Sequence, residues 1–477
     1  MSKQQIVQWI EENQASFDQL ADQIWAHPET AYEERFASEA QIAVLQQAGF
    51  RIASQVGGIP TAFIAEYGSG SPIIGFIGEY DALPGLSQQV NTVPEPVVHN
   101  GPGHGCGHNL LGTAGVEAAI AAADRLLEEG LTGTIRYYGC PAEEVLSGKT
   151  FMAREGVFHD LDAALTWHPG SSNLAVSAGT SALTSVEFYF QGRTAHAGAA
   201  PHLGRSALDA VELMNVGANY LREHVPDGSR IHYTITNGGV APNIVPDQAS
   251  VWYFLRGANR EQVDSLLERL LNIARGAALM TETSVTWDIK AGAYDFKPNE
   301  TLNDLLVAQW EEAGAIDFTV EERKWAKQLT DTLDPTALRQ AKHQTERLGL
   351  GEEGPLPTGF ARWKPIGVTL GGSTDLGDVS WITPVGTITT TCAPVGIQVH
   401  TWQATAAFGS SIGRKGMQYA AKLLALAAYE LFTTGEETLK RAKEEFRQTT
   451  RDSVYIPAIP TEAQPPILKT QPVEVTR

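Results

Sequence analysis

The sequence predicts an α/β protein of two parts, a main domain in two chain segments and a smaller domain inserted between them. Along residues 72–168, strand, polar cluster and helix follow one another repeatedly, which is typical of α/β units. A complete β-α-β-β-α-β pattern then follows, as in ferredoxin-like domains, and the α/β pattern resumes after Ala293. We therefore predict a main domain of residues 1–180 and 293–477 and an inserted domain of residues 181–292.

The first main-domain segment predicts elements whose ends carry polar residues. Helical or strand-like apolar spacing marks helices at 4–26, 34–48 and 109–127, and strands at 72–78, 134–139 and 163–167. Asp81, Glu143, Glu144 and His168 follow the strands directly. Because ligands of open α/β sheets collect beyond the carboxyl ends of the strands, we expect these side chains at one edge.

The remaining elements complete both domains. In the inserted domain, the pattern predicts strands at 183–190, 231–236, 249–256 and 283–289, and helices at 204–224 and 259–279. After it come a charged helical stretch at 321–348, a Gly/Pro-rich loop at 349–357, a β-rich run at 386–391, a strand-like run at 395–399, helices at 416–432 and 437–449, and a proline-rich tail from residue 457.

Composition excludes several classes of function. The net charge of −20 leaves no basic surface to neutralise phosphates, so a nucleic-acid partner is not expected. Three cysteines are an odd number in a long chain, which favours a reducing compartment over a disulfide framework. Neither a signal-peptide core nor a run of eighteen apolar residues is present, so we expect a cytoplasmic protein without a membrane partner.

The segment that looks most specialised is GPGHGCGHN at residues 101–109. Imidazole and thiolate are ligands that transition metals prefer, and Cys106 and His108 offer one of each. The position of Cys106 just before a helix predicts a lowered thiol pKa. His104 is interpreted as loop filler, because the Cys-x-His pair already supplies two donors.

The pair Glu143-Glu144 follows a strand and a proline. Adjacent carboxylates on a turn can face different ways, so that one binds a metal and the other takes a proton from the attacking water. A solvated acidic turn is the alternative. The aromatic strand before the pair and the metal-type loop upstream favour the functional interpretation.

Two nucleotide- and hydrolase-type motifs are set aside. The sequence GSSIG at 409–413 matches a serine-hydrolase elbow, but no histidine follows it, and that fold requires one. Gly148-Lys149-Thr150 resembles the end of a P-loop, but the required first glycine falls at Glu143.

Together these motifs resemble the M20 metallopeptidase family, most closely its amidohydrolase branch. The resemblance spans the chain to about residue 450 and rests on GCGH at 105–108, PAEE at 141–144, WHP at 167–169, GRTAHAG at 192–198 and GGVAPN at 238–243. Within that branch, GSTD at 372–375 and HTWQ at 400–403 are similar to the aminobenzoyl-glutamate hydrolases. Two positions depart from the family: Glu79 stands where other branches have histidine, and Asn109 stands where this branch more often has aspartate.

The resemblance implies a zinc-peptidase-like catalytic domain with an inserted ferredoxin-like lid that also dimerises. It implies Glu143 as general base and Asp81 as the carboxylate that orients a ligand histidine. His196 on the lid, contributed by a neighbouring subunit, would stabilise the oxyanion, and Asn243 would hold the substrate carboxylate. The implied metal ligands are Cys106, His108, Glu144, His168 and His400.

The implied activity is metal-dependent hydrolysis of an N-acyl or N-aroyl amino acid, with aminobenzoyl-glutamate as leading candidate. Two divalent ions per subunit, Mn²⁺ or Zn²⁺, and either a homodimer or a heterodimer with a related A-type subunit are implied as well. An aminoacylase or dipeptidase of the same family is the enzyme alternative. A non-catalytic dimer that binds a small molecule is the alternative of another class.

Overall fold

A computed structural model describes residues 2–350, 354–365, 369–451 and 453–467, which form two main sheets with helices packed against them. The strands of the described residues are β1 (Arg51–Ser54), β2 (Phe63–Ser69), β3 (Ile73–Glu79), β4 (Gly133–Cys140), β5 (Ala163–Gly170), β6 (Asn173–Val176), β7 (Gly179–Thr180), β8 (Ala182–Gln191), β9 (Arg230–Asn237), β10 (Gln248–Gly257), β11 (Ser284–Ala293), β12 (Phe360–Trp363), β13 (Thr369–Leu370) and β14 (Val385–Thr391). The helices are α1 (Ser2–Ala26), α2 (Arg35–Gln47), α3 (His108–Glu129), α4 (Gly148–Arg154), α5 (Ala207–Leu221), α6 (Arg260–Thr281), α7 (Glu300–Ala308), α8 (Trp310–Ala313), α9 (Val320–Thr330), α10 (Pro335–Arg347), α11 (Leu376–Ser380), α12 (Trp402–Phe408), α13 (Ser411–Thr433) and α14 (Glu436–Thr450).

The larger sheet has eight strands in the order β1-β2-β4-β3-β5-β14-β6-β12. Its centre is parallel, since β3 pairs in parallel with β4 and β5, and β5 pairs in parallel with β14. The apolar run that predicts a strand buried on both faces is β3, which lies between β4 and β5. The carboxyl ends of β3, β4 and β5 therefore meet at one edge.

Both faces of this sheet are covered, because neighbouring residues of a strand point to opposite sides. Phe76 and Tyr137 belong to the core formed with α1, α3 and α13, whereas Ile77 and Tyr138 belong to the core formed with α4 and α11. The segment 453–467 packs onto the second face, where Ile459 is buried.

The inserted region has a four-stranded antiparallel sheet in the order β11-β8-β10-β9, with α5 and α6 packed on it. This is the ferredoxin-like arrangement, so the predicted fold class is confirmed. The limits 1–180, 181–292 and 293–477 stay predictions. Strand β9 lies at the sheet edge, and all its residues but Ile231 are exposed.

Local predictions have mixed outcomes. The predicted helical stretch 321–348 is helical and consists of two helices, α9 and α10, whereas the predicted strand-like run 395–399 is a loop. Helix α13 begins at Ser411, with Ser410 as its capping residue, so the elbow-like GSSIG sequence is a helix start. Strands β1, β2, β6 and β12 have no counterpart among the predictions. Residues 351–353 of the predicted 349–357 loop lie outside the described residues.

Among the residues described, none of the helices combines the length and the apolarity that a membrane span requires.

Candidate metal centre

Cys106 and His108 stand where a glycine-rich loop turns into helix α3. Gly107 between them has φ of 79°, a left-handed backbone conformation that residues with a side chain rarely adopt. A Cβ on Gly105 would lie 2.6 Å from Leu86 Cδ1 and 3.5 Å from His400 Cα, so a side chain here would require Leu86 to move and would touch the backbone of His400. The glycines therefore let the loop pack closely against the segment that carries His400.

Cys106, His108 and His168 form one group whose ligand-capable atoms all lie within 4.8 Å of one another. Cys106 Sγ is 3.4 Å from His168 Nε2. His168 lies inside β5 rather than beyond its end, and its Nδ1 donates to the Pro169 carbonyl, which leaves Nε2 facing the cysteine. Orientation by a hydrogen bond on the other ring nitrogen is the usual arrangement of metal-binding imidazoles.

Cys106, Glu144 and His400 form a second group within the same distance limit. His400 Nε2 is 3.2 Å from Glu144 Oε2. The backbone of His400 has φ of 64°, and its N–H donates to the Gly105 carbonyl at 2.8 Å. A histidine in this sparsely populated conformation, tied directly to the metal-type loop, indicates a functional constraint.

The structure thus brings the five predicted ligands together, and Cys106 belongs to both groups. The donors suit a divalent transition metal, since thiolate, imidazole and carboxylate all bind Zn²⁺. His108 Nε2 and Glu144 Oε1 are buried atoms without a hydrogen-bond partner. Because buried polar atoms are normally satisfied, these two atoms fit residues that hold a metal ion.

Asp81 contacts one residue of each group, His108 and Glu144. It accepts a hydrogen bond from His108 Nδ1 at 2.9 Å on one oxygen, and from the backbone N–H of Glu144 at 2.9 Å on the other. Burial alone would raise the pKa of Asp81, but these hydrogen bonds, with the charge of His108, hold the pKa below its ordinary value. The carboxylate is therefore held ionised where a ligand histidine needs an acceptor.

Glu143 begins a short 3₁₀ turn after β4 and is buried, whereas Glu144 is half-buried. Glu143, His108 and Glu79 form a third group of possible ligand atoms, and Glu143 Oε2 lies 4.0 Å from His108 Nε2. Burial raises the pKa of Glu143 well above its ordinary value, and the Glu79 carboxylate raises it further. A carboxylate with a raised pKa beside these possible metal ligands suits proton transfer near neutral pH.

Sequence reasoning missed Glu34, which supports the Glu143 turn. Glu34 is fully buried, and its carboxylate accepts hydrogen bonds from Tyr32 N, Thr61 Oγ1 and Ala142 N. Ala142 has φ of 59°, a strained conformation immediately before Glu143. A lone glutamate near a helix start gives no sequence signal for this contact, which joins segments 108 residues apart.

The predictions for Cys106 and His104 of the glycine-rich loop are considered in turn. Burial raises the pKa of Cys106, against the lowering that its place before a helix predicts. His104 stands outside the three groups, with its Nε2 3.2 Å from the Ile24 carbonyl of α1. Burial and the neighbouring His108 lower the pKa of His104 to about 3, so it is neutral.

The predicted lid residues lie on loops beside the inserted sheet, and His196 is in none of the three groups of possible metal ligands. His196 and Asn243 are exposed and adjacent, since Ala197 N donates to the Asn243 carbonyl and His196 pairs with Ile244 in an isolated bridge. His196 Nδ1 accepts from the backbone N–H groups of Gly198 and Ala199, both at 3.2 Å. These bonds favour the tautomer that carries its proton on Nε2.

Comparisons with known proteins identify the family of this chain. The M20 peptidase dimerisation domain matches residues 178–281. The B-type subunit of the p-aminobenzoyl-glutamate hydrolase of Escherichia coli (strain K12) is 43% identical over 472 residues, 96% of this chain and 98% of that protein. The chain belongs to the M20 family. The predicted M20-type metal-dependent amidohydrolase is thereby confirmed.

Other similar proteins share less with this chain. The Xaa-Arg dipeptidase of Mus musculus is 32% identical over 316 residues, covering 63% of this chain and 69% of that protein. The solved structure of an aminobenzoyl-glutamate utilization protein from Klebsiella pneumoniae covers 89% of this M20 chain and 97% of its own, with a TM-score of 0.58. At 18% identity, that likeness is one of fold.

Proposed function

We propose that this M20 enzyme hydrolyses the amide bond of p-aminobenzoyl-glutamate, releasing p-aminobenzoate and glutamate. The observation that carries the proposal is the 43% identity with the B-type subunit of the Escherichia coli hydrolase along 98% of that protein's length. The grouping of Cys106, His108, Glu144, His168 and His400 supports it, because an amidase of this family needs a metal centre.

These five residues would hold two divalent ions, Mn²⁺ or Zn²⁺. When bound, such ions polarise a substrate carbonyl and lower the pKa of water. Glu143 would take the proton of the attacking water at a carboxylate oxygen and deliver it to the leaving amine. Its burial helps here, because a raised pKa lets one carboxyl group act first as base and then as acid.

The lid would supply the remaining contacts. His196 would donate its Nε2–H to the developing oxyanion, since its Nδ1 is occupied by two backbone N–H groups. Asn243 would bind the carboxylate end of the substrate. Both side chains are exposed on loops beside the inserted sheet, and His196 is in none of the metal groups, so a lid movement or a neighbouring subunit would bring them to the metal.

The same sheet offers a surface for that subunit. Strand β9 is an edge strand, and such strands readily pair with another chain. On α5, Leu213, Val216 and Tyr220 are exposed by 39%, 49% and 68%, and their spacing puts them on one helix face. We propose this edge and face as the dimer contact, either with a second copy or with a related A-type subunit.

A substrate panel tests the proposal. The purified protein, loaded with Mn²⁺ or Zn²⁺, is assayed with p-aminobenzoyl-glutamate, N-acyl amino acids and dipeptides ending in arginine. We expect the highest kcat/KM for p-aminobenzoyl-glutamate. A higher kcat/KM for Xaa-Arg dipeptides would favour the dipeptidase alternative, which the mouse relative supports. Failure to hydrolyse any of them, with either metal, would favour a non-catalytic binding dimer.

Molecular mass decides the partner. A dimer of the protein alone in light scattering is expected for the homodimer. A monomer that is inactive until an A-type subunit is added would establish the heterodimer.

A further inference from the structure

Lys149 is a fully buried lysine at the start of α4, five residues after the metal ligand Glu144. Its Nζ lies 2.7 Å from Glu79 Oε1 and 2.5 Å from Asp375 Oδ1. The backbone N–H of Lys149 donates to the second oxygen of Asp375 at 2.7 Å. Both carboxylates are buried as well. The three side chains therefore form a buried ionic cluster that joins β3, α4 and the start of α11.

Glu79 extends this cluster to the metal groups. One of its oxygens is held by Lys149, and the other, Oε2, lies 3.3 Å from His108 Nε2. That nitrogen is the ring atom that Asp81 leaves free by binding Nδ1. Glu79 also belongs to the group of possible ligand atoms that contains His108 and Glu143. Its free oxygen thus faces the side of the imidazole that would serve a metal ion.

A buried carboxylate needs a fixed partner, because loss of one member leaves the other charge buried and uncompensated. Lys149 is that partner for Glu79, and Asp375 holds Lys149 through two contacts, one to Nζ and one to the backbone. The cluster therefore fixes which Glu79 oxygen is paired with Lys149 and which one faces His108. A purely structural tie between α4 and α11 would not require Glu79 to face the metal ligands.

We propose that Lys149 and Asp375 are positioning residues that act through Glu79. They hold Glu79 Oε2 against His108 Nε2, and they thereby fix the position at which His108 would bind a metal ion. The inference requires the metal centre but does not depend on which amide the enzyme cleaves.

The test is a double-mutant cycle on metal binding. Metal-stripped protein is titrated with Mn²⁺, with free Mn²⁺ followed by electron paramagnetic resonance, and then with Zn²⁺ in competition with a chelator. The variants are Lys149→Met, Glu79→Gln, both together, and Asp375→Asn. Lys3→Met is the matched control, because the ion pair of Lys3 is with Glu430 of α13, and Glu430 is in none of the groups of possible metal ligands.

We expect Lys149→Met to weaken at least one metal site by about 10- to 100-fold, the usual effect of losing a group behind a metal ligand. In the Glu79→Gln background the same change should alter metal affinity by less than about twofold, because the proposed effect of Lys149 on the metal position runs through the Glu79 carboxylate, which is then absent. For the hydrolysed substrate, kcat should fall while KM stays near the wild-type value. Lys3→Met should bind both metals as the wild type does.

Wild-type metal affinity in folded Lys149→Met, or additive effects of the changes at positions 149 and 79, would overturn the proposal. Should Lys149→Met fail to fold, Asp375→Asn is measured both with Glu79 intact and in the Glu79→Gln background, and coupling or additivity there decides in the same way. The titration uses no substrate, so failure of the substrate panel leaves it standing. A wild-type protein that binds neither Mn²⁺ nor Zn²⁺ would instead refute the metal centre itself.

Discussion

The site has two parts: the groups of possible metal ligands, here called the metal half, and His196 with Asn243, here called the lid half. They differ in how many contacts within one chain fix their side chains. In the metal half, His108 is bound by Asp81, His168 by the Pro169 carbonyl, and the Glu143 turn by Glu34. In the lid half, His196 and Asn243 are exposed, and the contacts that fix them come from their own loops.

This difference separates two properties of the protein. The proposed metal ligands are residues that one chain already brings together, so metal binding should survive loss of the lid residues. Turnover needs both halves, so it should depend on lid closure or on a neighbouring subunit. Each prediction below tests one side of this division, beginning with the largest expected effect.

Replacing Glu143 should separate chemistry from metal binding within the metal half. Glu143→Gln keeps the shape of the side chain but cannot take a proton, so we expect turnover to fall by about 10²- to 10⁴-fold. Metal content should stay at the wild-type level, because the five proposed ligands are unchanged. Steady-state kinetics and metal analysis of the same preparation check both. Turnover near wild type would sink the proposed mechanism.

Replacing His196 should lower turnover without touching the metals. We expect His196→Ala to reduce kcat by about 10²- to 10³-fold, the range for removal of one oxyanion donor. The informative experiment mixes this variant with Glu143→Gln. If the partner copy supplies His196, mixed dimers contain one intact site and activity returns. If each chain supplies its own His196, the mixture stays inactive.

Asp81→Asn should weaken the metal half alone. The asparagine oxygen can accept from His108, but its NH₂ group would then face the backbone N–H of Glu144, which is also a donor. We expect metal affinity to fall by about 10- to 100-fold, as for other residues that orient a ligand histidine. Chelator competition measures this. An affinity equal to that of wild type would mean that Asp81 does not orient His108.

Glu34 should make stability depend on pH in a defined direction. Burial, with the charge of Asp81, raises the pKa of Glu34 from 4.5 to about 8. The folded protein therefore holds this proton more tightly, and the stability gained is full below pH 4.5 and lost as pH rises through about 8. Between pH 6 and pH 9, the Tm of the metal-stripped protein should fall more in wild type than in Glu34→Gln. The exposed neighbour Glu33→Gln should behave as wild type, and equal slopes for all three proteins would contradict the assignment.

The sequence was informative where chemistry and periodicity are local. The ligand candidates stand within short motifs at strand or loop ends, and a buried parallel strand such as β3 has a continuous apolar run that marks it. The inserted β-α-β-β-α-β order could be predicted for the same reason, since each of its elements has a clear period.

What could not be predicted depends on contacts between distant segments. Glu34 meets Ala142, and Lys149 meets Asp375, across 108 and 226 residues respectively. Neither pair carries a spacing signal, and Lys149 was interesting in sequence only as part of an incomplete P-loop. The short strands β1 and β6 were missed because four residues are too few to display a period.

Strand β14 is made late but stands in the middle of the large sheet, between β5 and β6. During synthesis, β5 and β6 leave the ribosome more than two hundred residues before the strand that joins them. The inserted sheet is contiguous, so its strands can pair as soon as β11 has emerged. Until β14 is made, the main domain exposes strand edges and apolar faces, which are prone to aggregate. Any chaperone dependence during expression should therefore come from the main domain, because the inserted domain can fold before the rest of the chain is complete.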